Sequence, residues 1–286
     1  MTHPPSFRQA GLVGHPVSHS LSPRLHTHWL NFHGIHGSYE AVDLPSEALE
    51  HGVRDLVARG WAGFNVTVPH KRTVMGLCDA LDDTARRVGA VNTVVVEPDG
   101  KLKGLNTDLF GFHENLRRGA PGLDVSRAPA VILGAGGAAR AAVESLIYAG
   151  TPEIRLVNRT EDHAHTLAES CSAPDCVRVW AWEDRRGALG GVGLLVNTTT
   201  LGMAGAPPLD LDLSALAPDA VVNDIVYAPL MTDLLIRAQA RGNPVVTGIG
   251  MLAHQARPAF AAWFGVMPEV TEDVMAILLS PQAKKP

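Results

Sequence analysis

The sequence predicts an α/β fold in two domains. The chain has 286 residues, which is enough for two domains with a core each. Short apolar, β-branched runs alternate with longer amphipathic stretches, a pattern typical of β–α–β units. A glycine-rich turn joins one such run to a helical stretch at residues 134–139. Together these observations predict mostly parallel sheets with helices between the strands.

The composition excludes several function classes. Hydrophobic residues make up 46% and charged residues 19% of the chain, which is typical of an ordered globular protein. The net charge is −5 and no run of Lys or Arg occurs, so we expect no nucleic acid and no membrane surface as partner. No apolar stretch approaches the roughly 20 residues of a membrane span.

A cytoplasmic location is expected for two reasons. The first residues lack the apolar region of a signal peptide. The three cysteines, Cys78, Cys171 and Cys176, are odd in number and have no C-x-x-C spacing, which fits a reducing compartment.

The thirteen histidines show no metal-ligand spacing, so no metal site is expected.

The first third of the chain alternates predicted strands and helices. Strands are expected at residues 9–14, 38–43 and 63–68, and helices at residues 22–33 and 46–59. A hairpin is expected at residues 90–97 and 101–105, because Pro98, Asp99 and Gly100 are turn-forming residues.

The middle of the chain is more regular. Strands are expected at residues 130–133, 154–157, 193–196, 220–225 and 244–247, and a helix at residues 138–149 closed by Gly150. Two helices are expected at residues 251–264 and 271–279. The domains predicted are 1–107 (substrate), 108–247 (dinucleotide) and 248–286, which returns to the substrate domain. The active site is expected in a cleft between the two domains.

The glycine-rich turn predicts a dinucleotide-binding domain of the Rossmann type. It fits the pattern G-x-G-x-x-[GA] and lies at a strand–helix junction. The first glycine permits the tight turn, the second lets the backbone approach a pyrophosphate, and the helix N-terminus faces the phosphates. The residues of this predicted contact are Gly134, Ala135, Gly136, Gly137 and Ala138, with Ala139 in the third small position.

The residues after the next strand favour NADP over NAD. An NAD site places Asp or Glu there to bind the ribose 2′-hydroxyl, but this chain has Asn158, Arg159 and Thr160. A guanidinium offers paired, charge-assisted hydrogen bonds to a 2′-phosphate. We therefore expect NADP as cofactor, with NAD as a weaker alternative.

Two residues are candidates for the acid/base chemistry of a dehydrogenase. Interconversion of a secondary alcohol and a ketone needs a group that takes or returns the hydroxyl proton. Lys71 follows a predicted strand that ends at Pro69, and it is expected to begin a helix. Asp108 follows a strand at the predicted domain boundary.

Nine segments in order make the chain resemble the shikimate dehydrogenase family over nearly its whole length. They cover residues 18–23, 65–71, 89–93, 104–108, 134–140, 158–160, 197–203, 224–232 and 248–255. The resemblance implies NADP-linked reduction of 3-dehydroshikimate to shikimate, a step of the shikimate pathway toward aromatic amino acids. It also implies that Lys71 is the acid/base and Asp108 its hydrogen-bonding partner.

The resemblance further implies which residues bind substrate and nicotinamide. Ser18, Ser20 and Tyr227 would bind the substrate carboxylate. The ring hydroxyls would be bound by Thr67, Lys71, Asn92, Asp108 and Gln255. The nicotinamide end of the cofactor would be bordered by Thr199, Ile225 and Gly248.

The sequence departs from the family's pattern at one position of the cofactor site, and three alternative functions stay open. His163 stands where the family often has a second Arg or Lys for the 2′-phosphate, so the preference for NADP is expected to be weaker. A paralogue acting on quinate or on an aminated shikimate analogue would share the motifs. A non-catalytic NADP-binding regulator would keep the glycine-rich turn. The expected assembly is a monomer or a homodimer.

Overall fold

The computed structural model describes residues 7–280, and within them the chain forms two compact units. The first unit comprises residues 7–107 and 253–280, and the second comprises Asp108–Leu252. The first unit is therefore discontinuous in sequence. The N-terminal stretch from which the absence of a signal peptide is predicted lies largely outside the described residues.

The first unit is built on a mixed sheet. Its strands are β1 Arg8–Gly14, β2 Gly37–Asp43, β3 Gly63–Val66, β4 Ala80–Leu81, β5 Thr93–Val96 and β6 Leu102–Leu105, in the order β2-β1-β3-β5-β6-β4. Three of the five neighbouring pairs are parallel, and β5 is antiparallel to both β3 and β6. Because β1 and β3 are parallel neighbours, the segments that follow them emerge at the same edge of the sheet.

Helices of the first unit begin at residues suited to helix starts. They are α1 Ser22–Phe32, α2 Leu49–Ala58 and α3 Asp83–Val88. Pro23 lies in the first turn of α1, where its missing N–H costs no hydrogen bond. The Asp82 carboxylate accepts a hydrogen bond from Ala85 N at 2.6 Å and caps α3.

The second unit contains an all-parallel sheet. Its elements are α4 Asp108–Gly119, β7 Ala130–Leu133, α5 Gly137–Tyr148, β8 Ile154–Val157, α6 Glu161–Ser170, β9 Val177–Trp180, β10 Leu194–Asn197, β11 Val221–Asp224, α7 Asp233–Ala240 and β12 Val245–Val246. The strand order is β12-β11-β10-β7-β8-β9. Successive residues of β7 alternate between two apolar clusters, with Ile132 in one and Val131 and Leu133 in the other. The central strand is thus buried on both faces, as parallel sheets require.

Two helices complete the chain, α8 Ile249–Phe264 and α9 Glu272–Leu279. Helix α8 begins in the second unit and continues as part of the first. The predicted boundary at 247/248 therefore precedes the observed change of unit, which falls inside this helix. No helix of the described residues is long and apolar enough to span a bilayer.

The α/β class in two units is confirmed, and three local predictions are wrong. Lys71 does not begin an α-helix: it lies in a turn before a short 3₁₀ helix, Thr73–Leu77. Residues 46–59 form a 3₁₀ turn followed by α2 instead of one helix. Strand β3 ends at Val66, two residues before the predicted end, because Pro69 has no N–H to donate and restricts the residue before it.

Candidate active site

Two loops of the first unit carry the serines and Thr67 to one edge of its sheet. Ser18 is exposed and Ser20 half-buried in the segment after β1. Ser20 Oγ accepts a hydrogen bond from Ser22 N at 3.2 Å, so Ser20 lies against the start of α1. The segments after β1 and β3 are held together because His15 N donates to Val68 O at 3.0 Å.

Lys71 is tied by its backbone to the segment that contains Asn92. Val91 N donates to the Lys71 carbonyl at 2.8 Å, and the Lys71 side chain is half-buried. The next backbone amide, Asn92 N, donates to Leu105 O at 3.1 Å. The structure therefore brings Lys71 and Asn92 into one part of the first unit.

Asn92 is the centre of a buried hydrogen-bond network that also includes Gln255. Asn92 Nδ2 donates to Gln255 Oε1 at 3.2 Å and to Thr107 Oγ1 at 2.9 Å. Asn92 Oδ1 accepts from Thr107 N at 2.8 Å. Two residues predicted from separate motifs, 163 positions apart, thus contact each other directly.

The same network extends to residues to which the sequence assigned no role. Asn65 Nδ2 donates to Asn92 O at 3.2 Å and to Thr93 Oγ1 at 3.0 Å, and Asn65 Oδ1 accepts from the Tyr39 hydroxyl at 2.7 Å. Asn65 and Thr107 lie inside motifs quoted above, and their buried polar side chains are the signal that could have identified them. We call Tyr39, Asn65, Asn92, Thr107 and Gln255 the amide network.

A buried histidine packs against the amide network. The ring of His26 stacks on Tyr39 with centroids 3.9 Å apart and an interplanar angle of 2°. Neither ring nitrogen has a hydrogen-bond partner among the described residues. Burial without a partner lowers the pKa of His26 from 6.5 to about 3, so the ring is neutral near pH 7.

The second catalytic candidate, Asp108, belongs to the second unit. It is the first residue of α4 and its side chain is buried. A carboxylate in the first turn of a helix is stabilised by the helix dipole.

The glycine-rich turn has the backbone that the sequence predicts. Gly134 has φ = +109°, and a Cβ at this position would lie 2.5 Å from Thr198 Oγ1. Only glycine fits this conformation and this spacing. Gly136 is exposed and precedes α5 in extended conformation without a side-chain cap, so the first N–H groups of that helix are available to a ligand.

Arg159 is available to bind an anion. It is exposed after β8 and forms no hydrogen bond or ion pair with the rest of residues 7–280. Asn158 Nδ2 donates to Thr160 O at 2.7 Å and fixes the turn around Arg159. His163 is exposed in the first turn of α6. These residues, with the turn at Gly134 and Gly136, fit a dinucleotide that carries a 2′-phosphate.

Four further predicted residues lie at the carboxyl edge of the same sheet. Thr199 N and Thr199 Oγ1 both donate to Asn197 Oδ1, at 3.1 and 2.7 Å. Gly248 packs against the chain at Ile225, where a Cβ on Gly248 would lie 2.2 Å from the Ile225 carbonyl oxygen. Tyr227 is half-buried in the segment after β11. Because all strands here are parallel, these residues share an edge with the glycine-rich turn.

Charged clusters elsewhere do not suggest a metal centre. Within residues 7–280 no group of three or more His, Cys, Asp or Glu side chains is arranged to hold a metal ion. Cys78, Cys171 and Cys176 are free thiols, and burial raises the pKa of each.

Each of the two units contains a match to a protein-family model. Residues 12–94 match the family model described as shikimate dehydrogenase substrate binding domain. Residues 118–189 match the model described as shikimate / quinate 5-dehydrogenase. The first match lies in the first unit and the second match in the second unit.

Individual relatives match over nearly the full chain. A shikimate dehydrogenase (NADP+) of Paramagnetospirillum magneticum is 57% identical over 96% of this chain and 98% of its own. A shikimate 5-dehydrogenase from Thermus thermophilus, solved with NADP(H) and shikimate, is 38% identical with a TM-score of 0.82, covering 95% of this chain and 97% of that one. A quinate dehydrogenase from Corynebacterium glutamicum, solved with NAD, is 29% identical with a TM-score of 0.86, covering 96% and 98%.

Proposed function

Because the chain belongs to the shikimate dehydrogenase family, we propose that it catalyses the reversible, NADP-dependent reduction of 3-dehydroshikimate to shikimate. The proposal rests on sequence identities of 57% and 55% to relatives named shikimate dehydrogenase (NADP+), which match over nearly their full length. A shikimate-pathway role in aromatic amino acid synthesis follows from the same proposal.

Lys71 is the acid/base of the proposed reaction. When bound, NADPH supplies the hydride that reduces the carbonyl carbon. A lysine ammonium near neutral pH can donate a proton to the oxygen as it becomes an alkoxide, and the resulting amine can accept the proton in the reverse direction. Asp108 is the partner that orients the ammonium and the reacting hydroxyl, so it contributes positioning as well as charge.

Hydroxyl and amide groups bind the substrate. Ser18, Ser20 and Tyr227 offer hydroxyl donors to the carboxylate, and Thr67 binds a ring hydroxyl. Asn92 and Gln255 bind the remaining hydroxyls with amide groups whose orientation is supported by the amide network, since each already has buried partners. A neutral, rigid set of donors and acceptors suits a small polyhydroxy acid.

The second unit binds NADP. The backbone at Gly134, Ala135, Gly136, Gly137 and Ala138 receives the pyrophosphate at the N-terminus of α5. Arg159 pairs with the 2′-phosphate, with Asn158 and Thr160 shaping its turn. Thr199, Ile225 and Gly248 border the nicotinamide. His163 adds less positive charge than a lysine would, so NAD is a usable, weaker cofactor.

The remaining assignments rest on the sequence. The first unit is the substrate domain and the second the NADP domain, with the chain returning to the first unit from Ala253. The enzyme acts in the cytoplasm as a monomer or a homodimer.

Steady-state kinetics with four substrate–cofactor pairs test the proposal. Shikimate and quinate are each oxidised with NADP⁺ and with NAD⁺, and kcat/KM is compared. We expect shikimate with NADP⁺ to give the highest kcat/KM. If quinate with NAD⁺ is preferred, the chain is a quinate dehydrogenase of the same fold. If NADP⁺ binds but no pair turns over, the proposed reaction is wrong, and the alternatives are the paralogue for an aminated analogue and the non-catalytic regulator.

A further inference from the structure

Asp224 is a fully buried carboxylate without a cationic partner among the described residues. It is the last residue of β11, and its relative exposure is 0%. Asp224 Oδ1 accepts hydrogen bonds from Asn197 Nδ2 and Val226 N, both at 3.0 Å, and Oδ2 accepts from Thr232 Oγ1 at 2.7 Å. No Lys, Arg or His of residues 7–280 forms an ion pair with it. Burial raises its pKa, and the three hydrogen bonds oppose that shift.

The three donors come from the end of β10 and from the two ends of the connection between β11 and α7. Asn197 ends β10 and binds both the N–H and the hydroxyl of Thr199. Val226 follows β11 and precedes Tyr227 by one position. Thr232 is the N-cap of α7, where its hydroxyl oxygen accepts from Leu235 N at 3.4 Å.

A carboxylate at this point has a function that a neutral side chain would not supply. Its two oxygens only accept hydrogen bonds, so it can gather donors from several segments at once. Burial of an unpaired charge is unfavourable, and hydrogen bonds to a charged group are stronger than those between neutral groups. The buried carboxylate therefore lowers the stability of the fold, but its hydrogen bonds fix the geometry of the segments after β10 and β11.

We propose that Asp224 is a positioning residue that clamps the segment after β10 to the segment after β11, and so holds Thr199, Ile225 and Tyr227 in their working positions. The functional part of this inference rests on the proposed function, because it takes Thr199 and Ile225 as nicotinamide neighbours and Tyr227 as a substrate contact. We call Asn197, Asp224, Val226 and Thr232 the carboxylate clamp.

Four variants test the clamp. Asp224→Asn keeps the shape and replaces one acceptor by a donor, so the hydrogen bond that Thr232 Oγ1 donates is lost or reversed, and the charge that strengthens all three is removed. Thr232→Val removes one donor to the carboxylate together with the cap on Leu235 N, and it keeps Asp224 in place if Asp224→Asn folds poorly. Thr232→Ser restores the hydroxyl. Asp219→Asn, at an exposed position before β11, is the matched control for loss of a carboxylate.

Amide hydrogen exchange without ligand gives a readout independent of activity. In Asp224→Asn and Thr232→Val we expect the amides of Thr199, Leu201 and Val226 to exchange about tenfold faster or more, the equivalent of one lost hydrogen bond. The amides of Ile132 and Leu133 in β7 should keep their protection. Equal acceleration in β7, or no acceleration in the loops, would overturn the clamp.

Kinetics give the functional readout. We expect kcat to fall about tenfold or more in both variants. The NADPH dissociation constant should change much less, because the glycine-rich turn and Arg159 lie outside the clamp. Thr232→Ser should recover most of kcat. Loosened loops with unchanged kcat would overturn the positioning role, and failure of the wild-type chain to reduce 3-dehydroshikimate would overturn the proposed function while the exchange result still decides the clamp.

Discussion

The two units bury polar groups of different kinds, neutral amides in the first unit and a carboxylate in the second. In the first unit the amide network is neutral, and the Asn65 and Asn92 amides both donate and accept hydrogen bonds. In the second unit the carboxylate clamp is centred on one anion that only accepts. Both lie where strands or loops supply predicted binding residues.

The two arrangements differ in the free energy that burial costs and in the distance along the chain between the groups that they connect. A neutral amide costs less to bury than a charge, and its hydrogen bonds do not depend on pH near neutrality. An anion costs more, but it draws backbone and side-chain donors from separate segments to one point. We infer that the first unit fixes the orientation of individual amides, whereas the second fixes the relative position of loops. Four predictions test this contrast.

The largest predicted effect concerns His26, the neutral ring stacked on the amide network. Its folded pKa of about 3 lies below the ordinary value of 6.5, so the unfolded chain binds more protons between these values. The stability that neutral His26 contributes is present above pH 6.5 and is lost as the pH falls toward 3. Relative to His26→Phe, the wild type should lose roughly 3 kcal/mol between pH 7 and pH 4, at about 1.4 kcal/mol per pH unit below 6.5.

Denaturant unfolding at several pH values measures this effect. His33→Phe, which replaces an exposed histidine near the end of α1, is the control and should follow the wild type more closely. Parallel stability–pH curves for the wild type and His26→Phe would show that the ring is not held neutral.

A second effect is expected when Asn65, which both donates and accepts within the amide network, is replaced. Asn65→Leu removes the acceptor of the Tyr39 hydroxyl and the amide donor to Thr93 Oγ1 in a buried site. The free energy of unfolding should fall by about 2 kcal/mol. Asn31→Leu, on the exposed side of α1, should change it little. If both variants are equally stable, the network is not a structural element.

A smaller effect is expected at the outer end of the same network. Tyr39→Phe removes one hydroxyl and leaves Asn65 Oδ1 without its donor, while the ring and its stack on His26 are kept. A loss of about 1 kcal/mol is expected. Tyr148→Phe serves as control because Tyr148 is 77% exposed. A loss larger than that of Asn65→Leu would place the centre of the network at Tyr39.

The smallest effect has the opposite pH dependence and belongs to the second unit. Burial raises the folded pKa of Asp224 above its ordinary value of 3.8, so the folded chain binds the proton more tightly than the unfolded chain. The stabilising contribution is present at low pH and is lost as the pH rises through the folded pKa. Wild type should therefore gain stability relative to Asp224→Asn as the pH falls from 7 to 4. If the wild type instead loses stability relative to Asp224→Asn as the pH falls, this sign is wrong.

The sequence predicted the regular parts of the fold and much of the candidate site. Alternating apolar runs located β7 and β8 to the residue, and the glycine pattern located the turn at Gly134, because buried strands and positive φ leave strong local signals. Helices α4, α6 and α7 were not predicted. Helix α7 has only eight residues, and α6 begins without a side-chain cap that hydrogen-bonds the helix.

Long-range contacts explain what the sequence could not show. The roles of Asn65 and Thr107 depend on hydrogen bonds to Asn92, which is 27 and 15 positions away. Asp224 is one acid among 29 acidic residues, and only its burial among three donors distinguishes it. The position of Lys71 after a strand predicts the start of an α-helix, but the turn after Pro69 leads into a 3₁₀ helix instead.

The most direct test of the account is the single-turnover rate of Lys71→Ala with NADPH and 3-dehydroshikimate. We predict that the rate falls by roughly 10³-fold, while NADPH binding, followed by its fluorescence, is retained. Lys103→Ala, at an exposed position of β6, should react at the wild-type rate. A rate for Lys71→Ala within tenfold of the wild type would show that another group transfers the proton.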